Sequence, residues 1–450
     1  MPYRLKHSLT RSIVDMVSDM QLCRTASPFD RRVTAMEWHP TDPNVVAVGS
    51  KGGDIIIWNT RTMNKDKFIQ GMGAGGIING LKFWPEDSSR IVSAAVDGTV
   101  TLHDVEGRDT RILKGSGGNI QAMRFWAEDY GKVLTAGLDG TVTLHDFDNR
   151  NSSVTLADTL NFYDYWYCSV DIQSRGKFVV AGDNVGKVQF LTYDGKIILD
   201  QKLHKKKVTC CEFSPREEWL LCTASTDKTV QFWDVRNIKD KKSVLYTLQH
   251  DHPINSAYFS KTDGCRLLTT DQKHQVRVYS APEWHLEKTI HHPHRFFQHI
   301  TPIKATWHPL QDLAVIGRYP DANFPGYHDN EPRTIDLIDV EEEKVVASLD
   351  DPAAPGLVCV NKFNHLGDTL VSGMGINILL WKRKEESAEI QESLMKKFPS
   401  SGSGSRSGPA SGSRRRGRPD DDDGLKKKSK KEPKTKTVKE KTQTKTKSKK

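Results

Sequence analysis

Seven cysteines are few for 450 residues, and they stand apart from any CxxC pair, at Cys23, Cys168, Cys210, Cys211, Cys222, Cys265 and Cys359. That scatter excludes a disulfide framework and a cysteine-built zinc site, and it points to reduced thiols inside the cell. Apolar runs of the ~18 residues a membrane span needs are missing, and the opening MPYRLKHSLTRSIVDMVSDM lacks the apolar core of a secretory signal. A soluble intracellular chain with no membrane partner is expected. GxSxG, HExxH and the P-loop GxxxxGK[ST] are absent too, and the Gly-rich GMGAGGIING at 71–80 does not fit a strand-to-helix phosphate cradle. The HHPH run with His299 has no carboxylate or cysteine at ligand spacing, so no metal and no other cofactor is expected. The chain reads as a binding protein and not as an enzyme.

Positive charge is scarce where it would matter most. The net charge is +9, but residues 400–450 hold 18 Lys/Arg against 6 Asp/Glu, which leaves a net −3 for residues 1–399. A nucleic-acid site on the folded part must therefore be a local patch.

What the sequence has is a repeat. AVDGTVTLHD at 95–104 returns as GLDGTVTLHD at 137–146, one 42-residue period later, within the span of a four-stranded propeller blade. Eight units share the pattern: an alternating strand ending in a turn such as WHP or FSP, a run of small residues, a Gly/Asp turn and a closing strand. The closing strands are DIIIWN (54–59), TVTLHD (99–104), TVTLHD (141–146), KVQFLTYD (187–194), TVQFWD (229–234), QVRVYS (275–280), TIDLID (334–339) and NILLWK (377–382). Period-two alternation and β-branched residues between Gly, Asp and Pro predict an all-β WD-repeat propeller of seven or eight blades. Ring closure shelters strand edges that an open sheet would expose.

The expected domains are a helical segment at 1–28, the propeller at 29–384, a charged helix at 385–399 and a disordered basic tail at 400–450. Ser12-Ile-Val-Asp15 has the form of a capping box, with Ile13, Val17 and Met20 on one helical face. The tail opens with SSGSGSRSGPASGS, which has nothing apolar to bury. It then carries Arg414-Arg415-Arg416-Gly417-Arg418-Pro419. Arg416, Gly417, Arg418 and Pro419 form an AT-hook core that fits a narrow minor groove, or else part of a nuclear localisation signal with the Lys-rich run that follows. Both readings place the chain in the nucleus.

Between the sixth and seventh units lies HHPHRFFQHITPIKATWHP, with bulky aromatic and amide side chains where a propeller has a small polar loop. An exposed Phe beside Gln and His has the composition of a wedge: the ring can enter a base step while polar neighbours satisfy the vacated pairing edges. The competing reading is that Phe296 and Phe297 pack beneath the blade. Basic residues recur before inner strands and within turns, at Arg31, Arg32, Lys51, Lys205, Lys206, Lys207, Arg295 and Arg318, where equivalent loops could build one phosphate-binding rim.

FDRR (29–32), AVGSKGGDI (47–55), GDNVGKV (182–188), HKKKVT (204–209), RLLTTDQK (266–273), RVYSA (277–281), HPHRFFQHITPIKATWHP (292–309) and GRYPD (317–321) closely resemble the small subunits of the damaged-DNA-binding complex, the xeroderma pigmentosum group E family. The resemblance spans roughly residues 29 to 384. It implies recognition of ultraviolet photolesions in double-stranded DNA, with Phe297, Gln298 and His299 inserted through the minor groove while the lesion is flipped out. A photodimer stacks poorly and is therefore cheaper to extrude than intact bases. Arg32, Lys51 and Lys207 match positions that approach the DNA backbone, and Trp166 matches the lesion side. Trp233, Asp234 and Arg236, in the run WDVR, resemble the WDxR box that docks propellers on the large adaptor subunit of a cullin-4 RING ubiquitin ligase, so the implied role is a substrate receptor that initiates nucleotide-excision repair.

Two departures stand out. The family propeller has seven blades, and here an additional DGTVTLHD unit precedes YWYCSVD. The family also has a longer N-terminal helix-loop-helix, whereas about thirty residues precede FDRR here. The runner-up reading is a protein-interaction scaffold binding a histone or ligase partner without lesion specificity.

Overall fold

The computed structural model describes residues 3–62, 67–71, 76–105, 110–114, 119–126, 131–148, 152–173, 178–294 and 301–397. Its strands form eight four-stranded antiparallel sheets, so the ring has eight blades. The fifth blade shows the plan, with strands at Val208–Phe213, Leu220–Ser225, Thr229–Asp234 and Val244–Gln249 from the axis outward. All six residues of Leu220–Ser225 are buried because that strand is covered on both sides by neighbouring sheets, which is why its sequence is small and apolar without alternation. The closing strands expected from sequence are the third strands of the blades, trimmed in places: KVQFLTYD ends as a strand at Thr192, where Thr192–Gly195 turns.

Beyond each third strand lies a fourth that sequence reading did not find. Ile197–Lys202, for example, is exposed or half-buried along its whole length, so it has no apolar face to betray it. The additional repeat is a complete third blade (Ile120–Phe125, Lys132–Gly137, Thr141–Asp146, Ser152–Asp158) and is not looped out. Its Leu134, Ala136, Val142 and Leu156 share one core with Tyr167, Val170 and Val179 of the fourth blade. The family count of seven therefore does not hold here.

Adjacent innermost strands meet in one repeated register. Thr34 Oγ1 donates to the Ile78 carbonyl at 2.6 Å, Asn79 Nδ2 to Ile120 at 2.6 Å, and Thr209 Oγ1 to Ile254 at 3.0 Å. Closure uses the N-terminus: Met20–Ala26 is the outermost strand of the eighth blade, antiparallel to Asn377–Arg383. This corrects the expected helical segment at 1–28, whose second part belongs to the propeller. Trp38 Nε1 donates to the Lys362 carbonyl at 2.8 Å, and Glu37 pairs with Lys82 on one side and Lys362 on the other, linking blades two, one and eight.

Helix α1 (Tyr3–Ser18) starts earlier than expected, so Ser12 lies in its interior and does not cap it. Val17, with Ile13 and Met16 beside it, packs on Val315, Leu337 and Leu349, and Met20 continues that core as the chain turns into strand. Helix α2 (Lys384–Lys397) follows directly from the last strand, with Lys382 Nζ 3.1 Å from Glu386.

Candidate nucleic-acid interface

One hydrogen bond recurs around the ring and defines a face. In the first six blades the amide that follows the second strand donates to the carbonyl just before the innermost strand of the same blade: Lys51 to Arg32 (2.7 Å), Val96 to Ile77 (2.9 Å), Leu138 to Asn119 (2.8 Å), Asn184 to Trp166 (3.0 Å), Thr226 to Lys207 (3.0 Å) and Gln272 to Pro253 (2.8 Å). Arg32, Trp166 and Lys207 thus occupy equivalent positions in blades one, four and five, and Lys51 is bonded to Arg32. Arg32, Lys51, Trp166 and Lys207, dispersed in sequence, thus come onto one face.

The lysine run rests on a buried polar network in blade five. His204 is buried; its Nε2 meets Thr223 Oγ1 at 2.8 Å, and its Nδ1 lies 3.1 Å from both Asp227 Oδ2 and Thr229 Oγ1. Trp233, fully buried, donates from Nε1 to the same Thr223 hydroxyl at 2.8 Å. The Lys205 amide donates to Asp227 at 2.8 Å, and Ser225 Oγ to the Lys206 carbonyl at 3.0 Å. Burial pushes the Asp227 carboxyl up, but the hydrogen bonds from His204 and Thr229 outweigh it and hold the group well below the usual carboxylate range. The backbone of Lys205, Lys206 and Lys207 is fixed by this network while all three side chains are exposed, with no carboxylate at ion-pair distance among the described residues. Such charges are available to phosphates.

The remaining expected residues divide. Arg32 and Lys51 are half-buried on this face. Arg318 is drawn inward, with Nη1 2.6 Å from Glu331 and Nη2 2.8 Å from the buried Asp336; two carboxylates neutralise it, which removes it from the free phosphate rim. Arg295, Phe297, Gln298 and His299 lie outside the described residues, as do Arg416, Gly417, Arg418 and Pro419 of the tail. Directly after the wedge sequence, Thr301 joins Arg32, Leu357 and Met374 around a cavity of about 530 Å³ on this face.

Sequence reading singled out Trp166 and missed its neighbours. Trp166 is half-buried, whereas Leu160 is 89% and Tyr163 81% exposed, with Phe162 and Tyr165 also exposed in the same loop. The rings of Phe162 and Tyr163 lie 4.3 Å apart. The run NFYDYW, ahead of an innermost strand as HKKK is, was the available signal.

The WDVR run ends on the opposite face, because the third strand of each blade descends from the lysine face. Trp233 is interior. Asp234 receives Arg236 through two bonds of 2.8 Å, Nε to Oδ1 and Nη2 to Oδ2, and Arg236 also lies over the Trp219 ring at 4.9 Å. The Arg236 side chain is 62% exposed, so its outer face is free for a partner. Helix α1 reaches this side too, where Thr10 Oγ1 donates to Gln311 at 3.0 Å.

An eight-bladed ring with a His–Thr–Trp–Asp network beneath an exposed lysine loop defines a WD-repeat propeller. The family model "WD domain, G-beta repeat" matches residues 21–59 and 195–234. Each match starts on an outermost strand and runs through the next three, so the sequence repeat is offset from the structural blade by one strand. A solved structure titled as the computationally designed Ika8 protein aligns with a TM-score of 0.59 at 17% identity, covering 80% of this chain and 99% of its own, and shares the fold. "DNA damage-binding protein 2" of Gallus gallus is 46% identical over 400 residues, covering 89% of this chain and 72% of that protein. The protein of that name from Bos taurus is 41% identical over 386 residues, covering 86% and 80%. The chain belongs to the DNA damage-binding protein 2 family.

Proposed function

We propose that this chain recognises ultraviolet photolesions in duplex DNA with its lysine-bearing face and acts in the nucleus. The observation that carries the reading is the gathering of Arg32, Lys51 and Lys205–Lys207 onto one face. The lysines hold the phosphate backbone without reading sequence. The Phe297 ring fills the stack that the lesion vacates, and Gln298 and His299 meet the orphaned bases. Selectivity then follows from the lower cost of extruding a photodimer. Exposed Phe162 and Tyr163 add apolar ring surface on the same face, and Trp166 lies at its edge. The names of the relatives, which bind DNA damage, support this reading.

The second half of the proposal assigns the opposite face to the large adaptor subunit of a cullin-4 RING ubiquitin ligase, through Arg236 braced by Asp234, with α1 reaching the same side of the ring at the seventh blade. Trp233 supports the box from inside and does not touch the partner. Because the two faces lie at opposite ends of the strands, DNA and ligase can be held together and nucleotide-excision repair initiated on marked chromatin.

The test is competition binding at near-physiological salt, with a duplex carrying or lacking a 6-4 photoproduct, beside the triple variant Phe297→Ala, Gln298→Ala, His299→Ala. A preference for the lesion that vanishes in the variant is expected. Equal binding to both duplexes by the unaltered chain would sink the sensor reading and leave the interaction scaffold, for which exposed Leu160 and Tyr163 offer an apolar surface to a histone or ligase partner.

A further inference from the structure

We propose a zinc site in the sixth blade, formed by His252, Asp271 and His274. His252 lies in the loop entering the blade, Asp271 ends its second strand (Arg266–Asp271), and His274 stands in the turn before the third (Gln275–Ser280). One ligand atom from each residue lies within 4.8 Å of the other two. Zinc held at about 2.0–2.1 Å by two imidazoles and a carboxylate sets donors roughly 3.3 Å apart, so modest side-chain rotation completes the site. Both histidines are half-buried, with their rings 5.4 Å apart, and a water would complete four ligands.

The carboxylate carries the argument. Asp271 is fully buried, and its Oδ1 accepts the Lys273 and Gln275 amides at 2.8 and 3.0 Å, with His294 Nε2 at 3.4 Å. Its Oδ2 has no hydrogen-bond partner among the described residues, and neither does Nδ1 of His274. A buried carboxylate oxygen and a buried imidazole nitrogen left without donor or proton acceptor are costly unless something binds them. Blade four supplies an internal comparison, since Asp183 holds the same turn through the Val185 and Lys187 amides, but Tyr165 and Gly186 stand where blade six has His252 and His274. The turn does not require the histidines. Two imidazoles and one carboxylate favour zinc over the hard cations calcium and magnesium. The site ties the entry loop to the turn on the lysine face, independently of any DNA bound there.

The test uses the full chain without an added histidine tag, stripped with chelator and titrated with Zn2+ by calorimetry and with Co2+ by visible absorption. One equivalent per chain is expected, with Co2+ giving the bands of a low-symmetry site. Loss of even an outer partner weakens metal sites roughly 10–100-fold, so His252→Ala and His274→Ala are each expected to weaken binding by about tenfold or more, with unchanged circular dichroism, while the exposed His285→Ala leaves it intact. Absence of saturable binding, or equal affinity in the His252→Ala, His274→Ala double variant, overturns the proposal.

Discussion

The two faces of the ring are built from the same strands and differ in how their charges are held. On the lysine face, Lys205, Lys206 and Lys207 project from a backbone fixed by His204, Thr223, Asp227 and Trp233, and their ammonium groups stay unpaired among the described residues. On the other face, Arg236 is clamped by Asp234, and Arg266 is shared among Glu287, Asp312 and Glu341. A fixed backbone carrying free cations attracts a polyanion at low ordering cost, whereas paired charges favour a partner that reads shape. The difference teaches that net charge, −3 over residues 1–399, says little about where DNA can bind.

The largest effect that would break this contrast is reversal of Lys205, Lys206 and Lys207 to Glu together. DNA affinity is expected to fall on the order of a hundredfold or more, for damaged and undamaged duplexes alike, and the slope of log affinity against log salt to shrink by roughly three. Fluorescence anisotropy across a salt series measures both. An unchanged slope would show that these lysines do not meet phosphates.

Thr223→Ala removes the hydroxyl shared by His204 and Trp233. Leaving two buried groups unsatisfied is expected to cost about 2–4 kcal/mol in denaturant unfolding and to loosen the lysine loop. The matching Thr135→Ala in blade three, where Thr135 meets His145 at 2.9 Å, is expected to destabilise the fold while sparing DNA affinity.

Acid should act on the ring as a whole. Burial lowers His103, His145 and His292 from 6.5 to about 4, so each is neutral in the folded protein at a pH where the unfolded chain takes up a proton. Their contribution is fully present above about 6.5 and is lost as pH falls from there toward 4, on the order of 1–3 kcal/mol for each. Thermal unfolding between pH 7 and 4.5 checks the sign, and His145→Leu should flatten part of the decline.

The smallest effect on DNA should come from Arg236→Ala. Anisotropy with a lesion duplex is expected to change less than about twofold, because the residue faces away from the lysine face and exposed pairs contribute little. Pull-down of the purified ligase adaptor is expected to weaken. Equal loss in both assays would collapse the separation of the faces.

The propeller was legible from TVTLHD recurring and from third strands such as TVQFWD, because buried β-strands keep an apolar pattern whatever surrounds them. Fourth strands such as Ile197–Lys202 were not, since they face solvent and carry no such pattern. Met20–Ala26 was hidden for a different reason: it pairs with Asn377–Arg383, more than three hundred residues away, and nothing local distinguishes it from the end of a helix. Among site residues, HKKK and its anchoring His204 were visible as a string, but the pairing that withdraws Arg318 depends on Asp336 and Glu331 from other parts of the chain. Likewise HHPH drew attention to histidines lacking a carboxylate nearby in sequence, while Asp271 reaches His252 and His274 only through the blade.

By itself, then, the sequence determined that this chain is a ring of repeats with eight units, a basic tail and a loop rich in Phe, Gln and His, since these follow from local pattern and composition. Tertiary structure alone decided that all eight units close as blades, that the N-terminal strand seals the last one, and which cations remain free on one face. The physical reason is that strand propensity acts between neighbours along the chain. Ion pairing and burial act between neighbours in space.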